Sequence, residues 1–192
     1  MKICFATNNS NKLYEVRQLL ASTPFEVVSL QDIGCTEDIV ETADTIEGNS
    51  ALKAEYVFRN YKLPCFADDT GLEVDALDGA PGVYSARFAG PQRSASDNNS
   101  LLLHRLQGAT DRSARFKTVI SWVNSEGLHQ FTGIVNGKIL TELAGTDGFG
   151  YDPLFVPDGF TQSFAQMTLE QKNRISHRAL ATRKFIDYLA GL

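Results

Sequence analysis

The sequence predicts an α/β fold with a mixed sheet, flanking helices and a second lobe. Strand-like and helix-like segments alternate over residues 1–67, which is typical of a parallel, doubly wound sheet. Residues 114–123 and 128–135 are two further strand-like runs joined by a short polar turn, and they predict an antiparallel hairpin. A chain of 192 residues, 43% of them apolar, can bury a sizeable core in one domain, or in one domain with a lobe.

The first βα unit has the form of an anion-binding site. Residues 3–6 predict a strand and residues 7–12 a polar loop, after which apolar residues recur on one face of a helix. A loop that opens a helix directs free backbone N–H groups and the positive end of the helix dipole at an anion. Lys12 adds a positive charge there, although an ordinary capped βα unit with a surface lysine shows the same pattern. The Walker A pattern is absent.

The second βα unit includes an acidic connection. Residues 25–30 predict a strand, and residues 31–45 an irregular segment that contains Glu41. The helical pattern then covers Ile46–Tyr61, with Lys53 beside its apolar face. A lysine in that position usually extends to solvent, but it can equally reach a phosphate.

Two adjacent carboxylates follow a third strand. Asp68, Asp69 and Thr70 come directly after apolar residues 63–67, so the sequence predicts that this strand ends there in a loop. Ligands of open α/β sheets bind beyond the carboxyl ends of strands. Two close carboxylates repel each other unless a cation or a proton lies between them. The pair is therefore interpreted as a Mg²⁺ site, a general base or both, and the alternative is an Asx-type turn with solvated aspartates.

The second half of the chain contains a glycine-rich loop and a capped final helix. Ser96 is the predicted cap of a helix that precedes the hairpin. Residues 145–153 combine glycines, two aromatic rings and two aspartates, which suits close approach to a planar ligand or a plain cluster of turns. Ser176 is the predicted cap of the last helix, whose first turn holds His177 and Arg178. Cations there oppose the helix dipole, and such broken local rules tend to mark functional sites.

The composition argues against several classes of protein. A net charge of −5 disfavours a nucleic-acid polymer as partner, but not a nucleotide, which needs only a local basic pocket. The apolar runs are far shorter than a membrane span, and the first residues predict a strand rather than a signal peptide. Cys4, Cys35 and Cys65 lack metal-binding spacing and predict reduced core residues of a cytoplasmic protein.

Six motifs occur along nearly the whole chain. They are Thr7-Asn8-Asn9-Ser10-Asn11-Lys12, Asn49 with Lys53-Ala54, Ala67-Asp68-Asp69-Thr70-Gly71-Leu72, Gly79-Ala80-Pro81-Gly82-Val83-Tyr84-Ser85-Ala86-Arg87, Phe149-Gly150-Tyr151-Asp152-Pro153, and Lys172 with Ser176-His177-Arg178. Each is weak alone, and together they are highly specific. In these motifs and their order the chain resembles the inosine triphosphate pyrophosphatase family, the nonstandard purine nucleoside triphosphate pyrophosphatases that include the bacterial dITP/XTP pyrophosphatases.

The resemblance implies one pyrophosphatase domain over residues 1–192, with an elongated mixed sheet, flanking helices and two lobes around a central substrate cleft. Proteins of this family are usually homodimers. The first loop is implied to bind the triphosphate, with Lys53 assisting, through Thr7, Asn8, Asn9, Ser10, Asn11 and Lys12.

The resemblance also implies the metal site and the base pocket. Mg²⁺ would be bound by Glu41 and Asp69, with Asp68 alongside; Asp69 would also be the base for the attacking water, and Thr70 would contact the substrate. The nucleobase would stack on Phe149. The remaining substrate-binding residues implied are Gly150, Tyr151, Asp152, Lys172, His177 and Arg178.

Two positions depart from the family pattern. Asn8 stands where a glycine is usual, and asparagine tolerates a positive φ better than most residues. Gly48 precedes Asn49 where a glutamate is usual, with Glu47 one place earlier, which leaves Glu41 as the preferred second acidic ligand.

The activity implied is Mg²⁺-dependent hydrolysis of ITP, dITP or XTP to the monophosphate and pyrophosphate, which would clean the nucleotide pool. Two alternatives stay open: a pyrophosphatase for pyrimidine or modified nucleoside triphosphates, and a non-catalytic nucleotide-binding protein. The pair Asp68 and Asp69 argues against the second, because carboxylates beside a triphosphate are costly without a metal.

Overall fold

A seven-stranded mixed sheet, five α-helices and four short 3₁₀ helices make up the regular structure of residues 1–191, the part of the chain that the computed structural model describes. The strands are β1 (Lys2–Phe5), β2 (Glu26–Ser29), β3 (Cys65–Val74), β4 (Pro81–Gly82), β5 (Ser113–Asn124), β6 (Gly127–Ile139) and β7 (Phe155–Pro157). The helices are α1 (Ser10–Leu20), α2 (Ile46–Tyr61), α3 (Ala95–Arg105), α4 (Leu169–Ile175) and α5 (His177–Ala190).

The strands pair in the order β2-β1-β3-β5-β6-β7, and β4 pairs with β3. β1 is parallel to both β2 and β3, with Cys4 opposite Cys65, whereas β4 and β7 are antiparallel to their neighbours β3 and β6. A two-residue turn at Ser125 and Glu126 joins β5 to β6. The predicted mixed α/β fold with a parallel beginning and a later hairpin is therefore confirmed.

The chain divides into two compact units. The first unit consists of Met1–Asp69, Thr118–Gly133 and Arg178–Leu192, and the second of Thr70–Lys117 and Ile134–His177. Aromatic contacts build the core of each: Phe5 stacks on Phe66 in the first unit at 4.6 Å between ring centroids, and Phe116 lies edge-on to Phe155 in the second at 4.8 Å. Each fully buried ring contributes about 1.5–3 kcal/mol through removal from water.

Helix boundaries follow from local capping. The Thr45 side chain accepts a hydrogen bond from the Gly48 N–H, and Lys62 adopts a left-handed conformation at φ 54° that ends α2. These two caps give α2 the bounds Ile46–Tyr61 that the sequence predicts. Helix α3 begins at Ala95 because Ser94, rather than the predicted Ser96, accepts a hydrogen bond from the Asp97 N–H. α5 begins directly after Ser176, whose capping role stays a prediction.

The prediction that the third strand ends at Ala67 is wrong. β3 continues through Asp68, Asp69 and Thr70 to Val74, with β5 as its neighbour in the sheet; near its end, Leu72 lies opposite Gly82 of β4. The two aspartates are thus consecutive residues of a strand, and side chains of consecutive strand residues point to opposite faces.

Two further predictions from the sequence concern membrane-spanning segments and the cysteines. Within residues 1–191, no helix combines the length and the hydropathy needed to cross a membrane. Cys4, Cys35 and Cys65 are buried and form no disulfide, in agreement with their predicted place in the core.

Candidate active site

Seven charged side chains come together in the first unit, and we call them the charged cluster. They are contributed by α1, the acidic connection, α2, β3 and the start of α5: Lys12, Glu15, Glu41, Lys53, Asp68, Asp69 and Arg178. The exposed fractions of their side chains range from 0% for Asp68 to 23% for Glu41. Ionised groups are seldom so buried unless they are paired.

Asp68 is held between two cations. Its Oδ1 lies 3.0 Å from the Lys12 Nζ, and its Oδ2 accepts a hydrogen bond of 3.0 Å from the Arg178 Nε. Arg178 also donates through Nη1 to Glu15. Burial alone would raise the pKa of Asp68, but Lys12, Arg178 and Lys53 outweigh it and hold that pKa below its ordinary value. Asp68 is therefore an ionised anchor for the lysine that opens α1.

Asp69 belongs to a second group of charges around Lys53. The Lys53 Nζ lies 2.6 Å from the Glu41 Oε1 and 3.7 Å from the Asp69 Oδ1. Burial, together with the negative charges of Glu41 and Asp68, raises the pKa of Asp69 above its ordinary value despite the nearby lysines. The Asp69 Oδ2 is buried and has no hydrogen-bond partner among the described residues. An unpaired carboxylate oxygen with a raised pKa suits a proton acceptor or a metal ligand.

The polar loop before α1 folds on itself. The Asn9 side chain caps α1 by accepting hydrogen bonds from the N–H groups of Asn11 and Lys12. Thr7 Oγ1 accepts a hydrogen bond of 3.1 Å from the Asn9 N–H. α1 begins at Ser10, inside the predicted loop, and its first turn contains no acidic residue. The exposed residues Asn8, Ser10 and Asn11 thus lie at the positive end of a helix dipole.

The second unit contains residues 145–153, which we call the aromatic loop. Within it, the Asp152 Oδ2 accepts hydrogen bonds from the Phe149 N–H at 2.8 Å and from the Lys172 Nζ at 2.7 Å. The Lys172 ammonium lies 5.0 Å from the centre of the half-buried Phe149 ring, within cation–π range. A Cβ atom at Gly148, whose φ is +76°, would lie 2.2 Å from the Asp152 Oδ2, so this position requires glycine.

The structure also gives the surroundings of other residues that the resemblance implies for substrate binding. The Tyr151 hydroxyl donates to the Ser85 carbonyl at 2.8 Å, and Gly150 adopts a left-handed φ of 62°. His177 is buried and stacks on Phe116 at 4.5 Å. Thr70 is half-buried on β3.

Sequence reasoning missed two residues of these arrangements. Glu15 is buried against Arg178, and Asn99 of α3 donates to the Gly150 carbonyl at 3.0 Å. An acidic residue beside buried Val16 was the available signal for Glu15, and two consecutive asparagines within a helix were the signal for Asn99.

Comparison with known proteins agrees with the predicted resemblance. The model of the Ham1 family matches residues 3–188. A dITP/XTP pyrophosphatase of Flavobacterium johnsoniae is 54% identical over 192 residues, covering 100% of this chain and 99% of that protein. A dITP/XTP pyrophosphatase of Porphyromonas gingivalis is also 54% identical, over 189 residues, covering 98% of this chain and 97% of that protein.

A solved structure extends the likeness to the fold. The Staphylococcus aureus Ham1 protein superposes with a TM-score of 0.91 at 37% identity, over 100% of this chain and 99% of that one. The motifs that carry the resemblance lie within the matched residues; four of them contribute five of the seven residues of the charged cluster, and a fifth contributes residues 149–153 of the aromatic loop. The chain belongs to the Ham1 family.

Proposed function

We propose that this chain is a Mg²⁺-dependent nucleoside triphosphate pyrophosphatase that converts ITP, dITP and XTP to the monophosphate and pyrophosphate. One observation carries the proposal: consecutive carboxylates of β3 engage separate cations, Asp68 with Lys12 and Asp69 with Lys53. One carboxylate thereby orders a phosphate-binding lysine, while the next keeps an unpaired oxygen for chemistry. The names of the relatives from Flavobacterium johnsoniae and Porphyromonas gingivalis support the substrate class.

The charge balance supports a metal requirement. The charged cluster includes four carboxylates, each of which would repel a triphosphate. A further cation in the site would offset this repulsion. Lys12, at the positive end of α1, and Lys53 are the side chains available to bind the phosphate tail.

Glu41 and Asp69 fit a Mg²⁺ ion better than the other carboxylates. They already lie on either side of one cation, the Lys53 ammonium, and the Asp69 Oδ2 is buried without a hydrogen-bond partner. Asp68 already binds a cation through each oxygen, Lys12 through Oδ1 and Arg178 through Oδ2, so its charge is more fully paired than that of Asp69. Within residues 1–191, no three His, Cys, Asp or Glu side chains are grouped so as to hold a metal.

Asp69 acts as the general base in this proposal. It accepts a proton from water as the water oxygen attacks the α-phosphorus, and the bond from that phosphorus to the β-phosphate oxygen breaks. The Asp69 Oδ2, buried and without a hydrogen-bond partner among the described residues, is the oxygen open to this proton. Lys12 and Lys53 stabilise the charge that develops on the departing pyrophosphate. Bound Mg²⁺ would supply further neutralisation of the phosphate oxygens.

The aromatic loop recognises the base in this proposal. Phe149 offers a flat surface for stacking, and Lys172 is a donor that can face the 6-oxo group of hypoxanthine or xanthine. Adenine carries a donor at the same position, so it would leave buried donors unpaired. Asp152 fixes the ammonium through its 2.7 Å bond.

The test is pyrophosphate release measured over a panel of ITP, dITP, XTP, ATP, GTP, dTTP and UTP, with and without Mg²⁺. We expect turnover of the first three, dependent on the metal. Preference for dTTP or UTP would favour a pyrimidine pyrophosphatase, and binding without turnover would favour a non-catalytic nucleotide-binding protein.

We also propose a homodimer and a cytoplasmic location. The homodimer is supported by the family resemblance, and the location by three buried cysteines without a disulfide. Light scattering at micromolar concentration would give a monomer mass if the dimer were wrong.

A further inference from the structure

Helix α3 carries two neighbouring buried asparagines, Asn98 and Asn99, that bind different loops. The Asn98 Oδ1 accepts a hydrogen bond of 2.7 Å from the Ala89 N–H, and its Nδ2 donates to the Ala86 carbonyl at 3.1 Å. The Asn99 Nδ2 donates to the Gly150 carbonyl at 3.0 Å. Both side chains lie in residues that are 5% exposed. Adjacent positions of one helix thus hold two separate segments of the second unit.

The Asn99 bond reaches the middle of the aromatic loop. Gly150 lies between Phe149 and Asp152, and the next residue, Tyr151, is fixed by its hydroxyl bond to the Ser85 carbonyl. The aromatic loop contains no helix or strand, and its positive-φ glycines give the backbone wide conformational freedom. A loop of this kind keeps one conformation only when such contacts hold it.

We propose that Asn99 is a positioning residue for nucleobase discrimination. By holding the Gly150 carbonyl, it fixes the backbone on which the Phe149 ring and the Asp152 carboxylate stand, and Asp152 in turn orients Lys172. The inference rests on the proposed function, in which these three side chains recognise the base.

The hydrogen bonding of Asn99 is better suited to positioning the aromatic loop than to stabilising the fold. Its Oδ1 is buried and has no hydrogen-bond partner among residues 1–191, whereas Asn98 uses both ends of its amide. One hydrogen bond between neutral groups contributes little net free energy of folding, so the stability gained from Asn99 is small. Its remaining contact is the one that places the aromatic loop.

The experiment compares Asn99→Ala with Asn98→Ala as a matched control of the same residue type, helix and burial. For each variant, kcat and KM are measured with ITP and with ATP, and the melting temperature is recorded. We expect Asn99→Ala to lower the ITP/ATP ratio of kcat/KM by about 10- to 100-fold, mainly through a higher KM for ITP. Asn98→Ala should leave that ratio within about twofold, even though it loses more hydrogen bonds.

Tyr151→Phe provides a second variant that keeps the shape of the side chain. It removes only the hydroxyl bond to Ser85, another side-chain contact that holds the residues next to Gly150, so we expect the same loss of discrimination. This variant decides the question if Asn99→Ala does not fold.

The outcomes separate this inference from the proposed function. A wild-type protein without preference for ITP over ATP would overturn both. A wild-type preference that survives unchanged in Asn99→Ala, or in Tyr151→Phe where Asn99→Ala does not fold, would overturn the positioning role alone. An equal loss in Asn98→Ala and Asn99→Ala would also overturn it, because general loosening of α3 would then explain both.

Discussion

The Lys53 ammonium lies 2.6 Å from the Glu41 carboxylate, so the protein itself supplies a cation for this acidic side chain. Burial alone would lower the pKa of Lys53, but Asp69, Glu41 and Asp68 outweigh it and raise that pKa, which keeps the lysine charged. In the proposed function these two carboxylates would also bind Mg²⁺, so the lysine and the metal ion would compete for them.

Lys53→Met should strengthen metal binding but slow turnover. Without the ammonium, Glu41 and Asp69 repel each other, so we expect the nucleotide-free variant to bind Mn²⁺ more tightly than wild type in a titration. Turnover of ITP should nevertheless fall by at least about 100-fold, because a charge on the leaving pyrophosphate is no longer neutralised. Lys2→Met, in an exposed pair with Glu26, is the control. Weaker Mn²⁺ binding by Lys53→Met would contradict the competition.

Asp69→Asn should abolish most turnover without unfolding the protein. The amide has nearly the same shape but accepts no proton, and loss of a general base typically costs about 10²- to 10⁴-fold in rate. The measurement is pyrophosphate release at saturating Mg²⁺, beside a thermal melt. Asp75→Asn, at an exposed position close in sequence, should keep wild-type turnover. Near-wild-type turnover in Asp69→Asn would show that another group takes the proton.

Asp68→Asn should destabilise the protein in a pH-dependent way. Arg178 and Lys12 would remain buried with a weaker partner, which typically costs about 3–5 kcal/mol at neutral pH. The folded-state pKa of Asp68 is lowered, so its contribution is present above the unfolded pKa of about 3.9 and is lost as the pH falls through the folded value.

Urea denaturation at pH 7 and at successively lower pH measures this effect. The difference in free energy of unfolding between wild type and Asp68→Asn should be largest at pH 7 and should narrow below about pH 4. A difference that stays constant over this range, or that widens, would show that the charge of Asp68 is not what stabilises the cluster.

Lys172→Met should lower the selectivity for ITP. The variant keeps a long side chain against Phe149 but loses the donor that faces the 6-oxo group, so the ITP/ATP ratio of kcat/KM should fall by at least tenfold, about 1.4 kcal/mol. Arg174→Met, in an exposed pair with Glu170 on the same helix, is the matched control. An unchanged ratio in Lys172→Met would exclude Lys172 from recognition of the base.

Local signals in the sequence were sufficient for much of the fold. The bounds of α2 follow from a threonine cap and from apolar residues at helical spacing, both of which lie within one stretch of chain. The extension of β3 past Ala67 could not be predicted in this way, because it depends on neighbouring strands from later in the chain, β5 and, near its end, β4. A run of Asp68, Asp69 and Thr70 has low strand propensity, and a tertiary pairing overrides it.

The sequence was a better guide to which residues belong to the candidate site than to which of them contact each other. Lys12, Lys53 and the two aspartates were identified by residue type and by the motifs that contain them, but their mutual pairing depends on distant segments. Arg178, which the resemblance implies for the base pocket, is bound to Asp68 and Glu15 in the charged cluster, a contact that was not predicted. No local pattern links residues 110 positions apart, such as Asp68 and Arg178.

The division of the chain into units also sets an order for folding during synthesis. The second unit has all of its residues once His177 has been made, whereas the first still lacks α5, whose Phe185 packs in one core cluster with Phe5. Domains usually fold from the N-terminus as the chain leaves the ribosome. Here residues 1–69, which emerge first, cannot complete their unit until the residues from Arg178 onward, which emerge last, have been made. A nascent chain that stops before Arg178 therefore lacks one of the seven members of the charged cluster, and Asp68 lacks the guanidinium that binds its Oδ2.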